Sequence, residues 1–337
     1  MNRKNPDDNG GVQKKLKIKF KVPQIKEIPV PKGNKHPAPK YAPILPTHEF
    51  TWGVISPKGA GKTTFIINLL ELYKDYFNEI IICSPTLLND DKWDYAKKLK
   101  VRVENIPLIK FLKSLEEDDE ENKMFPHLQE KAKSKEKFKQ EIPETNFISE
   151  YSEEGLKRIV QEQDDMIKFL KEHDKPKYLA NRILLMFDDL VGSDLFGTSQ
   201  KNFFTGFNTR HRHLGMSMFM ISQAVKAIPD KIRTQWSCLT LYRIGSEKEV
   251  EKIYEEFPMG LKRDEWDAVY RYCTEGRHDF MFIDFQKPRG QQIMKNFDTF
   301  ILEGDQQGSE DSIPLRRNAE VEVSPKNKNV PHYYLLY

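Results

Sequence analysis

Six short apolar runs punctuate the chain: Thr51–Ile55 (TWGVI), Glu79–Cys83 (EIIIC), Arg182–Asp189 (RILLMFDD), Met216–Ser222 (MSMFMIS), Cys238–Tyr242 (CLTLY) and Phe280–Phe285 (FMFIDF). Runs of this length without polar alternation predict strands covered on both faces, the environment of a parallel sheet. Helical spacing separates them. Thr64–Tyr73 is long, apolar and free of Gly and Pro. Ser152 opens a helix with Glu153 and Glu154 in its first turn and Leu156, Ile159, Val160, Ile167 and Leu170 on one face, ending before Pro176. Further helices are predicted over 199–213, over Glu247–Phe257 (Val250, Ile253, Tyr254 and Phe257 inward) and over Asp264–Thr274 (Trp266, Val269, Tyr270 and Cys273 inward). Strand and helix alternate throughout, so the expectation is one α/β domain over 48–302, a mostly parallel sheet with helices on both faces.

Outside that domain the pattern dissolves. Residues 1–47 are rich in Lys and Pro, with one alternating patch, Leu16–Val22 (LKIKFKV), expected as a short strand. Its lysine face suits either a nucleic-acid backbone or protection of a sheet edge. A charged insertion is expected at about 113–150, with acids at Glu116–Glu121 and lysines at Lys131–Lys139. The polar tail 303–337 ends in an apolar tip, Tyr333–Tyr337, which could dock on a partner or pack locally. Both extensions are expected to be flexible.

Charge sharpens this division. The 337 residues carry a net +3, yet residues 1–40 hold eleven Lys/Arg against three Asp/Glu, net +8, which leaves −5 for the rest. The basic character belongs to the N-terminal arm. Cys83, Cys238 and Cys273 are widely spaced, so neither a disulfide framework nor a zinc ribbon is indicated, and a reducing compartment fits. No apolar run approaches the roughly 20 residues of a membrane span, and the N-terminus lacks the apolar core of a signal peptide.

Between the first strand and the first helix lies SPKGAGKTT, Ser56-Pro57-Lys58-Gly59-Ala60-Gly61-Lys62-Thr63-Thr64. Gly59 and Gly61 let backbone amides curl round a triphosphate, Lys62 can reach the β- and γ-phosphates, and the Thr63 hydroxyl can coordinate Mg²⁺. The helix that follows adds its positive dipole end. Ser56 stands where the usual loop opens with glycine.

The third apolar run delivers Asp188 and Asp189 at its carboxyl end, where open α/β sheets bind ligands. In such a pair the first carboxylate, Asp188, holds Mg²⁺ through water, and the second, Asp189, polarises the attacking water. Gln223 ends the next run, within reach of a γ-phosphate or that water, an arrangement that argues against P-loop kinases and GTPases, whose metal-binding strand is placed differently after the loop. His211 and His213 lack a third metal ligand at useful spacing and read as helix-end residues.

SPKGAGKTT, LLMFDDL (Leu184–Leu190) and RHLGMSMFMISQ (Arg212–Gln223) together resemble the genome-packaging ATPases of the FtsK/HerA superfamily, in the poxvirus-like branch of large DNA viruses and their relatives. The resemblance covers about residues 48–290. It implies a RecA/FtsK-like P-loop NTPase fold, ATP and Mg²⁺ as cofactors, and a homo-oligomeric ring that hydrolyses ATP between subunits to drive double-stranded DNA into a capsid. It also implies contact with a capsid protein and residence in the host cytoplasm, at viral factories, and in the virion. Arg212 is similar to that superfamily's arginine element, with Arg210 as the nearest alternative, and Gln223 to its sensor. Asp189 stands where the wider superfamily usually has glutamate. Two other readings stay open: a different P-loop enzyme, such as a helicase or nucleotide kinase, and a non-catalytic scaffold.

Overall fold

The computed structural model describes residues 36–301 apart from 37, 43, 74, 101–104, 119–123, 134–139, 191–192 and 198–201. The strand expected at Leu16–Val22 and the apolar tip at Tyr333–Tyr337 lie outside the described residues.

The first strand, β1 (Thr51–Ile55), leads through the glycine loop into helix α1 (Lys62–Leu72). Strand β2 (Glu79–Cys83) and helices α2 (Lys92–Lys98), α3 (Ile106–Asp118) and α4 (Pro126–Lys133) follow, then the two-residue strand β3 (Phe147–Ile148). Helix α5 (Glu153–Glu172) precedes β4 (Ile183–Asp188); α6 (Phe203–Arg210) and a 3₁₀ turn (His211–Leu214) precede β5 (Met216–Ser222). The short α7 (Asp230–Arg233), β6 (Cys238–Tyr242), α8 (Glu247–Glu256), α9 (Arg263–Cys273) and strands β7 (Phe280–Asp284), β8 (Ile293–Lys295) and β9 (Thr299–Ile301) complete the described chain.

Among the described residues all nine strands form one sheet in the order β3-β2-β4-β5-β1-β6-β7-β8-β9. Every pairing from β3 to β6 is parallel, and β7, β8 and β9 extend the sheet antiparallel. Successive side chains of a strand point to opposite faces, and here each face has its own core. On one face Trp52, Val54, Ile80, Ile82, Met186 and Phe219 pack under Phe65, Ile66 and Leu69 of α1 and Trp93 of α2. On the other, Ile55, Ile81, Leu185, Met218 and Leu239 pack under α5, α6, α8 and α9. Each fully buried side chain of this kind contributes about 1.5–3 kcal/mol. Within β1 only glycine fits at 53, because a Cβ there would stand 2.7 Å from ring atoms of Trp236.

Helix α5 is capped by Ser152, whose Oγ accepts from the Gly155 amide at 3.1 Å. Its far half buries Met166, Phe169 and Leu170 against Leu108 and Leu112 of α3 and Leu128 and Ala132 of α4. The charged stretch at about 113–150 thus contributes buried faces to a third cluster, and β3 to the sheet edge. Among the described residues no helix is long and apolar enough to cross a membrane.

Candidate functional site

The parallel strands β2, β4, β5 and β1 all end at the same edge of the sheet, and the predicted chemistry collects there. Ser56 continues β1: its amide donates to the Ser222 carbonyl at 3.0 Å, and the residue is fully buried. It anchors the loop in the sheet, and Pro57 adds no N–H. Gly59 (φ 80°) and Gly61 (φ 101°) take left-handed backbone that L side chains avoid, and the loop turns there into α1 with Gly61 as its cap. Lys58 and Gly59 are exposed, whereas Ala60, Gly61, Lys62, Thr63 and Thr64 are half-buried.

Lys62 reaches across β5 to the acidic pair. Its Nζ lies 3.1 Å from Asp188 Oδ1 and 3.4 Å from Asp189 Oδ2. Asp188 is 1% exposed, and burial holds its carboxyl above the usual aspartate range although Lys62 and a hydrogen bond from Ser84 pull it down; Asp189 pushes it further up. The Ser84 hydroxyl donates to Asp188 Oδ2 at 2.8 Å and lies 2.9 Å from the Thr86 hydroxyl, which accepts from the Trp93 indole at 3.2 Å. This chain fixes the orientation of Asp188 from the β2 side.

Asp189 leaves the strand with φ 55°, a left-handed turn that aspartate tolerates better than most residues, while its amide still donates to Ile221 O at 3.0 Å. The turn aims its carboxylate at solvent, where Oδ2 accepts from Gln223 Nε2 at 2.7 Å. Lys62, Asp188, Asp189 and Gln223 therefore form one connected group at the ends of β1, β4 and β5.

Thr63 is turned elsewhere. Its hydroxyl donates to Asp90 Oδ2 at 3.0 Å, and Asp90 Oδ1 accepts the Lys92 amide at 3.1 Å. With its proton on Asp90, the Thr63 oxygen keeps lone pairs for a cation, so Thr63 and Asp188 fit Mg²⁺ beside a nucleotide, and the exposed loop amides fit its phosphates. On the open side of the loop, His278 Nδ1 is 3.0 Å from Ala60 O, and its ring would meet a Gly61 Cβ at 3.1 Å.

Arg212 is not part of this group. It sits exposed in the 3₁₀ turn before β5, so the strand puts about 20 Å between it and Gln223. Its carbonyl accepts from Lys177 Nζ. Arg210, at the end of α6, lies over the Phe203 ring at 6.0 Å. His211 is buried with Nδ1 2.8 Å from Asn208 O, a helix-end contact. Ser84, Thr86, Asp90 and His278 went unnoticed in the sequence. The signal the sequence holds there is Ser84-Pro85-Thr86 directly after an apolar run, which reads as no more than the close of a strand.

No protein-family model matches the chain, and no curated protein matches it. Solved structures do. The DNA-packaging ATPase B204 of Sulfolobus turreted icosahedral virus aligns with TM-score 0.43 and 13% identity over 73% of this chain and 96% of that one. The pCW3 conjugation coupling protein TcpA, in its monomer form with ATPγS, aligns with TM-score 0.41 and 13% identity over 73% and 59%. ATPases 2 and 3 of EssC from Geobacillus thermodenitrificans align with TM-score 0.33 and 11% identity over 61% and 34%. The α/β P-loop arrangement is carried by the chain's own mostly parallel sheet and by the glycine loop that leads from β1 into α1.

Proposed function

We propose that this chain is an ATP-hydrolysing motor that moves double-stranded DNA, working as a ring of identical subunits to package a viral genome, with a capsid protein as a further partner. The observation that carries the ATPase reading is the convergence of Lys62, Asp188, Asp189 and Gln223, with Lys62 Nζ 3.1 Å from Asp188 and Gln223 Nε2 2.7 Å from Asp189. The DNA and packaging parts rest on the spacing of Arg212 and Gln223 and on the basic N-terminal arm.

When nucleotide binds, Lys62 exchanges its carboxylate partners for β- and γ-phosphate oxygens, which carry more charge. Thr63 and Asp188 would hold Mg²⁺, which would supply positive charge to offset that of the phosphates. Asp189 accepts a proton from the water whose oxygen bonds to the γ-phosphorus as the β–γ bridging bond breaks, giving ADP and inorganic phosphate. Gln223, already hydrogen-bonded to Asp189, orients that water. Arg212 is too distant to serve its own subunit and is assigned to the γ-phosphate of a neighbour.

Steady-state ATPase rates with and without duplex DNA, together with particle mass, test this. The motor reading expects rings and a rate raised several-fold by DNA. A monomer that phosphorylates an added acceptor would establish the kinase reading, and a chain that turns over no ATP with or without DNA would be a scaffold.

A further inference from the structure

The sheet edge opposite the phosphate loop holds a second cluster with different chemistry. His48 and Glu49 lead into β1, and His36 lies in the preceding segment. One ligand atom from each of the three comes within 4.8 Å of the others. The His36 and His48 rings meet edge to face, 4.7 Å between centroids, and His36 Nε2 is 3.6 Å from Glu49 Oε1. The His36 side chain is 9% exposed.

Two features set this cluster apart from a casual surface group. His36 Nδ1 and His48 Nε2 are both buried without a hydrogen-bond partner. A ring nitrogen in that condition costs free energy unless something occupies its lone pair. The His48 ring is also held in place: Nδ1 lies 2.7 Å from Ser217 Oγ on β5, and the ring packs edge-on to Phe77. A hydrogen bond at one ring nitrogen that leaves the other unpartnered is how metal-binding histidines are oriented.

We propose that His36, His48 and Glu49 form a binding site for a divalent transition metal of the zinc class. Two imidazoles and a carboxylate are a zinc donor set, with a fourth position left for water. Zinc–nitrogen bonds of about 2.0–2.1 Å require the three ligand atoms to draw closer together than they now stand. Lys177 Nζ sits 2.9 Å from Glu49 Oε1 and also donates to Arg212 O, so it opposes a nearby cation yet has a second acceptor to keep. Bound metal would clip the segment carrying His36 to the base of β1 and, through Ser217, to β5. The site is independent of nucleotide chemistry at the other sheet edge.

Equilibrium dialysis of the full chain against Zn²⁺, and visible absorption after loading Co²⁺, test the assignment. One ion per chain is expected, with a tetrahedral Co²⁺ spectrum. His36→Ala, on the segment outside the sheet, should lower affinity at least tenfold while the circular dichroism spectrum stays unchanged. Glu49→Gln should do the same. Lys177→Gln should bind more tightly, because a competing cation is gone. No stoichiometric uptake, or uptake that His36→Ala and Glu49→Gln leave unaltered, would overturn the proposal.

Discussion

Thr63 and Asp90, 27 residues apart, are joined by a 3.0 Å hydrogen bond from the threonine hydroxyl to Oδ2. The bond ties the start of α1 to the turn after β2 and sets which way the threonine oxygen presents its lone pairs. Asp90→Ala should therefore weaken Mg·ATP use, lowering kcat/KM by about tenfold, the scale of one hydrogen bond to a charged group. Asp90→Asn keeps an acceptor and should lose less. Steady-state ATPase assays over a range of Mg²⁺ would check both. Equal rates for wild type and Asp90→Ala would leave the contact without a part in turnover.

Asp188 presents a conflict between stability and chemistry. Its carboxyl is held above the usual range by burial, so ionising it in the folded protein costs more than in the unfolded chain. The stability this group allows is complete below the unfolded value of about 3.9 and falls as pH rises through the raised folded value. Asp188→Asn should remove that part of the pH dependence, raise the melting temperature of nucleotide-free protein near neutral pH, and abolish Mg²⁺-dependent hydrolysis. Thermal melts at several pH values, paired with ATPase assays, test the two effects separately.

The separation of Arg212 from Gln223 along β5 gives a test of assembly. Arg212→Ala should keep nucleotide binding and lose hydrolysis by 10³-fold or so, the usual scale for an arginine finger. Lys62→Ala should lose turnover as well. Mixed rings of the two should regain activity at interfaces where an intact loop faces an intact arginine. Mixed rings as inactive as either variant alone would show that Arg212 does not act in trans, and Arg210 would be the next candidate.

Away from the site, Arg233 is 5% exposed and forks onto Glu256, with Nε 2.7 Å from Oε2 and Nη2 2.5 Å from Oε1. Its Nη1 donates to the carbonyls of Val225 and Ile228. Burial alone would raise the Glu256 carboxyl, but Arg233 and then Lys252 overcome it and hold it below the usual glutamate range. The stability from this pair is present above the unfolded value of about 4.3 and is lost as pH falls through the lowered folded value. Glu256→Gln should cost about 2–3 kcal/mol at neutral pH, since it leaves a buried guanidinium short of its counter-charge. Denaturant titrations at pH 7 and at acid pH should show the cost shrinking with acidification.

The sheet was legible because strands covered on both faces have no alternation to hide them: TWGVI, EIIIC, MSMFMIS and CLTLY form strands as read, and RILLMFDD and FMFIDF do so over Ile183–Asp188 and Phe280–Asp284. Strands β3, β8 and β9 are two or three residues long, too short for periodicity to register, and they owe their pairing to the neighbours they lie against. The direction of β7 was likewise invisible, because an apolar run carries no sign of parallel or antiparallel pairing. The loop lysine and the paired aspartates announce themselves by spacing. Asp90 does not, since Asn89-Asp90-Asp91 reads as a solvated turn until the fold lays it beside Thr63. His36, His48 and Glu49 lack any metal-ligand spacing and meet through tertiary structure alone.

The strand that carries the phosphate loop lies at the middle of the sheet, yet among the described strands it is the first to be made. Both of its edges wait for distant sequence: the Phe50–Ser217 hydrogen bond spans 167 residues and the Thr51–Ser237 bond spans 186. At ribosomal speeds of roughly 5–20 residues per second, β1 stays unpaired for about 10–40 s after its own synthesis. Contacts this remote in sequence also slow folding from the denatured state, because their loop entropy must be overcome before they form. A nascent chain shorter than about Tyr242 should bind no nucleotide and should draw chaperones to the bare Thr51–Ile55 segment, although the whole loop Ser56–Thr64 has already been translated.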